Sequence, residues 1–225
     1  MSTISKFTAL SSTLYKYAVE HGHNDDPIRR ELSEETAKLG PISAMEIAAE
    51  QGTLMAILAT AIGAKSAVEV GTFTGYSALC VARALPDDGH LLCCDVSEQW
   101  TSIARRYWEK AGVTKKITLK LGPAVETLRA LPASHTFDFA FIDAAKSTYR
   151  TYYEEILKRT RPNGLILLDN VLWNGAVIDQ TNQTEDTKAI RAINDFIVHD
   201  DRVEAVMLTL ADGLTIVRKK SRRTT

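Results

Sequence analysis

From residue 66 onward the chain alternates short apolar runs with helix-patterned segments, and this alternation constrains the fold more than any other feature. The runs are SAVEV (66–70), HLLCCD (90–95), KITLKL (116–121), FDFAFID (137–143) and GLILLD (164–169). Helical patterns lie between them, near 75–85, 97–112, 123–131 and 148–161. Strands that alternate with helices at this spacing form βαβ units around a parallel sheet. A parallel sheet is covered on both faces, so its strands read as continuous apolar runs rather than alternating ones. The chain is therefore expected to be an α/β protein.

The two ends depart from this pattern. RVEAVMLTL (202–210) and GLTIVRKK (213–220) flank Ala211 and Asp212. Asp-Gly between two β-rich runs signals a hairpin, so the sheet should gain antiparallel strands at its C-terminal end. Before residue 66 the chain reads helical. Asp26-Pro27 suits a helix start and Gly40-Pro41 a helix stop. EQGTLMAILATAIGA (50–64) reads as a buried helix. No linker or repeat divides the chain. One domain over 1–225 is expected, with 1–65 as a helical lid or oligomer contact ahead of an α/β core at 66–220.

Charge narrows the function classes. The 27 Lys and Arg nearly balance the 28 Asp and Glu, which leaves no footprint of a general nucleic-acid or membrane binder. The basic tail RKKSRRTT (218–225) reads as a solvated end. Cys80, Cys93 and Cys94 lack zinc-ligand spacing and do not suggest a disulfide framework, so they read as small core hydrophobes. With no apolar signal core in MSTISKFTALSS (1–12) and no window of membrane-spanning length, a cytoplasmic protein is expected.

AVEVGTFTGYSA (67–78) runs from a strand through Gly71 and Gly75 into a helix, the opening of a nucleotide-binding half-sheet. The dinucleotide fingerprint G-x-G-x-x-G fails, because Phe73 and Tyr76 hold its second and third glycine positions. Glu69, an acid just before the turn, suits a cationic ligand better than a pyrophosphate. S-adenosylmethionine carries an ammonium and a sulfonium. Asp95, at the end of the next strand, could accept hydrogen bonds from both ribose hydroxyls. The competing reading is plain: Gly71 and Gly75 make a tight turn, and Asp95 caps a helix with Ser97.

FDFAFIDAAK (137–146) and LILLDNVLWNG (165–175) both end apolar runs in oxygen-bearing side chains. In an open parallel sheet, ligands bind beyond the carboxyl ends of the strands. On neighbouring strands, Asp143, Asp169 and Asn170 could converge on one point, and a hard divalent cation would relieve the repulsion of the two carboxylates. The alternative is that Asp169 and Asn170 start a turn and Asp143 caps a helix. Lys146, three residues after Asp143, is either a solvated surface lysine or a base near the cation.

These segments resemble the cation-dependent O-methyltransferases of the caffeoyl-CoA and catechol type. The resemblance runs in order through LYKYAVEHG, MEIAAEQG, VEVGTFTGYSA, LCCDVSEQW, GPAVETL, FDFAFIDAAKSTY, LLDNVLWNG and DGLTIVRK. It implies a Rossmann-like class I methyltransferase fold with a seven-stranded, mostly parallel sheet, and a homodimer. It also implies S-adenosylmethionine as cofactor, in contact with Glu69, Gly71, Thr72, Ser77, Asp95, Ala124 and Asp143. A divalent metal, magnesium first and calcium or manganese as alternatives, would be held by Asp143, Asp169 and Asn170. Lys146, with Asp143, would be catalytic, and Asn174 would face the substrate. Many members carry Asp-Ala-Asp-Lys where this chain has Asp143-Ala144-Ala145-Lys146, so Ala145 cannot make the cofactor contact of the second acid. The expected activity is methylation of a vicinal diol on a catechol-like small molecule. A transfer-RNA hydroxyuridine O-methyltransferase of the same family is the nearest alternative. An NAD-linked oxidoreductase and a non-catalytic adenosylmethionine-binding module come from other classes.

Overall fold

In the computed structural model, which describes residues 8–22 and 25–221, the apolar runs pair into one sheet. The strands are β1 (Ser66–Val70), β2 (His90–Asp95), β3 (Ile117–Leu121), β4 (Phe137–Ile142), β5 (Thr160–Leu168), β6 (Val203–Leu208) and β7 (Leu214–Lys219). Their order across the seven-stranded sheet is β3-β2-β1-β4-β5-β7-β6. The first five are parallel, while β7 runs antiparallel to both β5 and β6. The chain winds outward from β1 through β2 and β3, then crosses back to lay β4 on the other side of β1. Such a reversal opens a crevice at the carboxyl ends of the central strands.

The expected C-terminal hairpin is present, and its turn places Ala211 at φ 47 and Gly213 at φ 87. Strand β5 starts at Thr160, four residues earlier than the apolar run suggested, and its pairing with β4 shifts register between Phe137 and Phe139.

The helices are α1 (Ser12–Gly22), α2 (Pro27–Ala37), α3 (Ala49–Ala61), α4 (Tyr76–Ala84), α5 (Glu98–Lys110), α6 (Ala124–Ala130), α7 (Tyr149–Arg159) and α8 (Glu185–Val198). Asp26 caps α2 by accepting the Arg29 N–H, with Pro27 in the first turn. That helix ends at Ala37, short of the expected Gly40-Pro41 stop, and a separate 3-10 turn follows over Gly40–Met45. Helix α8, which no single sequence signal marked, is capped by Thr184 accepting from the Thr187 N–H.

Strand periodicity divides the core. Ala67, Leu91, Cys93, Phe139 and Leu165 pack with residues of α2, α3, α4 and α5 on one face. Val68, Leu92, Cys94, Ala140 and Ile166 pack with α6, α7 and α8 on the other. Adjacent Cys93 and Cys94 thus lie in opposite halves of the core as free, buried thiols. Among the described residues no helix is long and apolar enough to cross a membrane. Residues 222–225 of the basic tail lie outside the described residues.

Candidate active site

A cavity of about 910 Å³ opens over the carboxyl ends of β1, β2, β4 and β5. Backbone hydrogen bonds past the strand ends hold its floor together. Gly71 N donates to Cys94 O (2.9 Å), Asp143 N to Val70 O (2.8 Å) and Asp169 N to Ile142 O (3.1 Å). Gly71 sits at φ 88, and a Cβ there would lie 1.7 Å from the Asp143 carbonyl oxygen. Only glycine lets the turn after β1 approach the end of β4 this closely.

Asp95 does more than either sequence reading proposed. Its Oδ2 accepts from the backbone N–H groups of Thr72 (2.8 Å) and Phe73 (2.9 Å), and its Oδ1 from Ser97 N (2.8 Å). Ser97, not Asp95, caps α5 by accepting from Trp100 N. Asp95 therefore ties the glycine turn to the end of β2. Oδ2 is thereby filled by two donors, while Oδ1, with one, retains acceptor capacity. Phe73 and Trp100, edge to face at 5.2 Å, wall the cavity close to it.

Glu69 lies on the strand behind the cavity wall, only 1% exposed. Neither carboxylate oxygen has a hydrogen-bond partner, nor does the Thr72 hydroxyl. Burial pushes the Glu69 carboxyl up to about 8, with the nearby Ser77 and Thr72 hydroxyls acting in the opposite direction. A buried acid with, among the described residues, no cation beside it and only two hydroxyls near it suits a site whose ligand carries positive charge. Gly71, Thr72, Ser77, Asp95 and Ala124 all line the cavity. They fit adenosylmethionine: a turn too close for any side chain, a carboxylate with an acceptor site left over, and a buried acid behind them.

The second cluster lies where β4 and β5 end. Lys146 is 8% exposed, so the surface-lysine reading does not hold. Its Nζ donates to Asp143 Oδ1 (2.9 Å), Asn170 Oδ1 (2.5 Å) and the Tyr149 hydroxyl (2.7 Å). The Tyr149 hydroxyl donates on to Asp169 O at 3.2 Å. Asp169 is 3% exposed. Burial first, and then the charge of Asp143, push its carboxyl up to about 7. Asp143 Oδ1 and Asn170 Oδ1 thus meet at Lys146 Nζ, with the buried Asp169 carboxyl close enough to feel the charge of Asp143. That donor set fits a hard divalent ion. No group of three or more His, Cys, Asp or Glu side chains arranged for a metal occurs among the described residues, and this set consists of two carboxylates and an amide.

Asn170, Trp173 and Asn174 carry the loop after β5 into the cavity, all three at left-handed φ (53°, 49° and 50°). The structure also brings in residues that the sequence did not single out. Gln51, 1% exposed, reaches the cavity from α3, and Asp212 from the β6–β7 turn. Gln51 was hidden inside an apolar helical pattern, and Asp212 was read only as a turn residue.

The chain is similar to known O-methyltransferases in sequence and in fold. The family model described as O-methyltransferase matches residues 19–220. A Dictyostelium discoideum protein named "Probable caffeoyl-CoA O-methyltransferase 1" is 41% identical over 213 residues, covering 93% of each chain. The Mus musculus catechol O-methyltransferase domain-containing protein 1 is 37% identical over 92% of this chain and 79% of its own. The crystal structure of an O-methyltransferase from Bacillus cereus in complex with SAH superposes with a TM-score of 0.84 at 30% identity, covering 92% of this chain and 97% of that one.

Proposed function

This chain belongs to the O-methyltransferase family and is an S-adenosylmethionine-dependent O-methyltransferase of the caffeoyl-CoA and catechol type; from that premise we propose that it methylates one hydroxyl of a vicinal diol on a catechol-like small molecule, with a divalent cation, magnesium first, at Asp143, Asp169 and Asn170. The observation that carries this reading is the meeting of Asp143, Asn170 and Lys146 within 2.9 Å contacts, beside the buried Asp169. The oxidoreductase and the non-catalytic module are set aside by the family.

A bound cation would supply Lewis acidity, lowering the pKa of a phenol from its usual value of about 10. Asp143, Asp169 and Asn170 would hold it. Lys146, which donates three hydrogen bonds as an ammonium, stands where it can steady the resulting oxyanion, and with one of those protons given up it would serve as the base that takes the hydroxyl proton. The acceptor oxygen forms a bond to the methyl carbon, the carbon–sulfur bond breaks, and its electron pair neutralises the sulfonium. Asp95 and the glycine turn would position the donor for in-line attack.

A small acceptor fits the cavity better than transfer RNA. Among the described residues, Glu46, Asp95, Asp143, Asp169, Asp186 and Asp212 line it against a single basic side chain, Lys146. Such a surface repels polyanions. We place the protein in the cytoplasm, in keeping with its three free thiols. We also read it as a homodimer, a reading supported by edge strand β6, which leaves Val206 and Met207 half exposed.

The test is transfer of labelled methyl from adenosylmethionine to catechol and to bulk transfer RNA, before and after chelation. Catechol methylation lost on chelation and restored by magnesium is expected. Full turnover after exhaustive chelation would remove the metal from the mechanism, and transfer to RNA alone would replace the acceptor.

A further inference from the structure

The β6–β7 hairpin is an appendage to the parallel sheet, yet its turn reaches the cavity through Ala211 and Asp212. There it grips the loop that follows β5. Leu172 N donates to Asp212 O (3.0 Å) and Val171 N to Gly213 O (3.2 Å). Asn174 N donates to the Asp212 carboxylate, Oδ1, at 2.6 Å. A Cβ on Gly213 would lie 2.5 Å from Leu172 Cγ and 2.8 Å from Leu172 N, so turn and loop are in close contact.

The gripped loop is one that would not hold its shape alone. Asn170, Trp173 and Asn174 are all non-glycine residues in the left-handed region, which persists only where the surroundings over-determine it. This loop carries the Asn170 oxygen to Lys146 and sets the Trp173 ring 5.5 Å from the same Nζ. Its shape therefore sets the wall of the cavity next to Lys146.

We propose that Asp212 is a positioning residue for the acceptor side of the reaction: its carboxylate clamps the Asn174 amide and so fixes Trp173 and Asn174 where the acceptor must dock. The inference rests on the proposed acceptor site beside Lys146. What the clamp requires is an acceptor oxygen at one position, not a negative charge. Asparagine should then serve at position 212, whereas glutamate, longer by a methylene, should not.

The experiment compares Asp212→Asn, Asp212→Glu and Asp212→Ala with the wild type, using catechol as the methyl acceptor. Asp212→Ala and Asp212→Glu should raise the KM for catechol about fivefold, the effect of losing one such hydrogen bond, with adenosylmethionine affinity unchanged. Asp212→Asn should stay within about twofold of wild type. Amide hydrogen exchange over residues 170–175 should quicken in the glutamate and alanine variants but not in the asparagine variant. Should Asp212→Ala not fold, the asparagine and glutamate pair decides alone. Glutamate rescuing while asparagine fails would make charge the agent and overturn the clamp. So would unchanged catechol KM in both disruptive variants, or an equal loss of adenosylmethionine affinity. A wild type that does not methylate catechol would strike the acceptor assignment instead, and the exchange rates would still decide the clamp.

Discussion

Glu69 shows how one residue can be costly to the fold and useful to the site. An unfolded chain holds this carboxyl near 4.5, and burial in the fold pushes it up to about 8. Between those values the folded state binds the extra proton, so unfolding free energy falls as pH rises through the window and levels off above it. The slope is at most about 1.4 kcal/mol per pH unit from this group. Glu69→Gln should therefore gain stability relative to wild type as pH climbs from 5 to 8, read by urea unfolding at several pH values. Parallel curves for the two proteins would contradict this account. Asp169 offers a complementary test. Asp169→Asn keeps the shape but removes one of the two carboxylates meeting near Lys146. It should abolish tight manganese binding, followed by paramagnetic resonance, while leaving adenosylmethionine affinity near wild type. Unchanged manganese binding would return Asp169 to the role of a turn residue.

At the scale of elements, the turn after β1 joins the two halves of the site. Gly71 is pressed against the Asp143 carbonyl from one side, and Asp95 holds Thr72 and Phe73 from the other. Gly71→Ala cannot be absorbed by a side-chain shift, because the atom it meets is backbone. It should cost about 3 kcal/mol or more and should also displace Asp143, so donor binding and metal binding fall together. A folded variant that loses only one of them would show that the two halves are independent. Asp95→Ala should weaken adenosylmethionine binding by roughly tenfold or more, from loss of a charged acceptor. Asp95→Asn, which keeps one acceptor oxygen, should lose less. Calorimetry on both variants separates loss of the charged acceptor from slackening of the turn.

For the whole molecule, the N-terminal helices share the core of the sheet. Leu32 of α2 and Met55 of α3 are fully buried, in the same cluster as Phe139 and Leu165. We propose that this segment folds together with the α/β core as one unit. Leu32→Ala should then lower stability by about 2–5 kcal/mol and move a single thermal transition, detected alike by far-ultraviolet and near-ultraviolet dichroism. Two separated transitions would mark the helical segment as an independent unit.

Much of this protein is written locally in its chain. The apolar runs, the helices between them and the Asp212-Gly213 hairpin are readable because strand burial and turn chemistry act over a few residues. Asp143, Asp169 and Asn170 stood out because polar groups ending buried runs break a local rule, and Glu69 did so by lying inside one. Other features depend on neighbours far apart in sequence. Lys146 could be either a surface lysine or a base until the fold buries it against Asn170 and Tyr149. Gln51 is one more position in an apolar helix until α3 packs beside β5. Asp95 becomes the anchor of the glycine turn only because β2 lies next to β1, and Asp212 becomes a clamp only because β7 pairs with β5. Periodicity records which face of an element is buried. It carries no record of which distant group will meet that face, and hydrogen bonds between such groups are decided by the packing of the sheet and its helices.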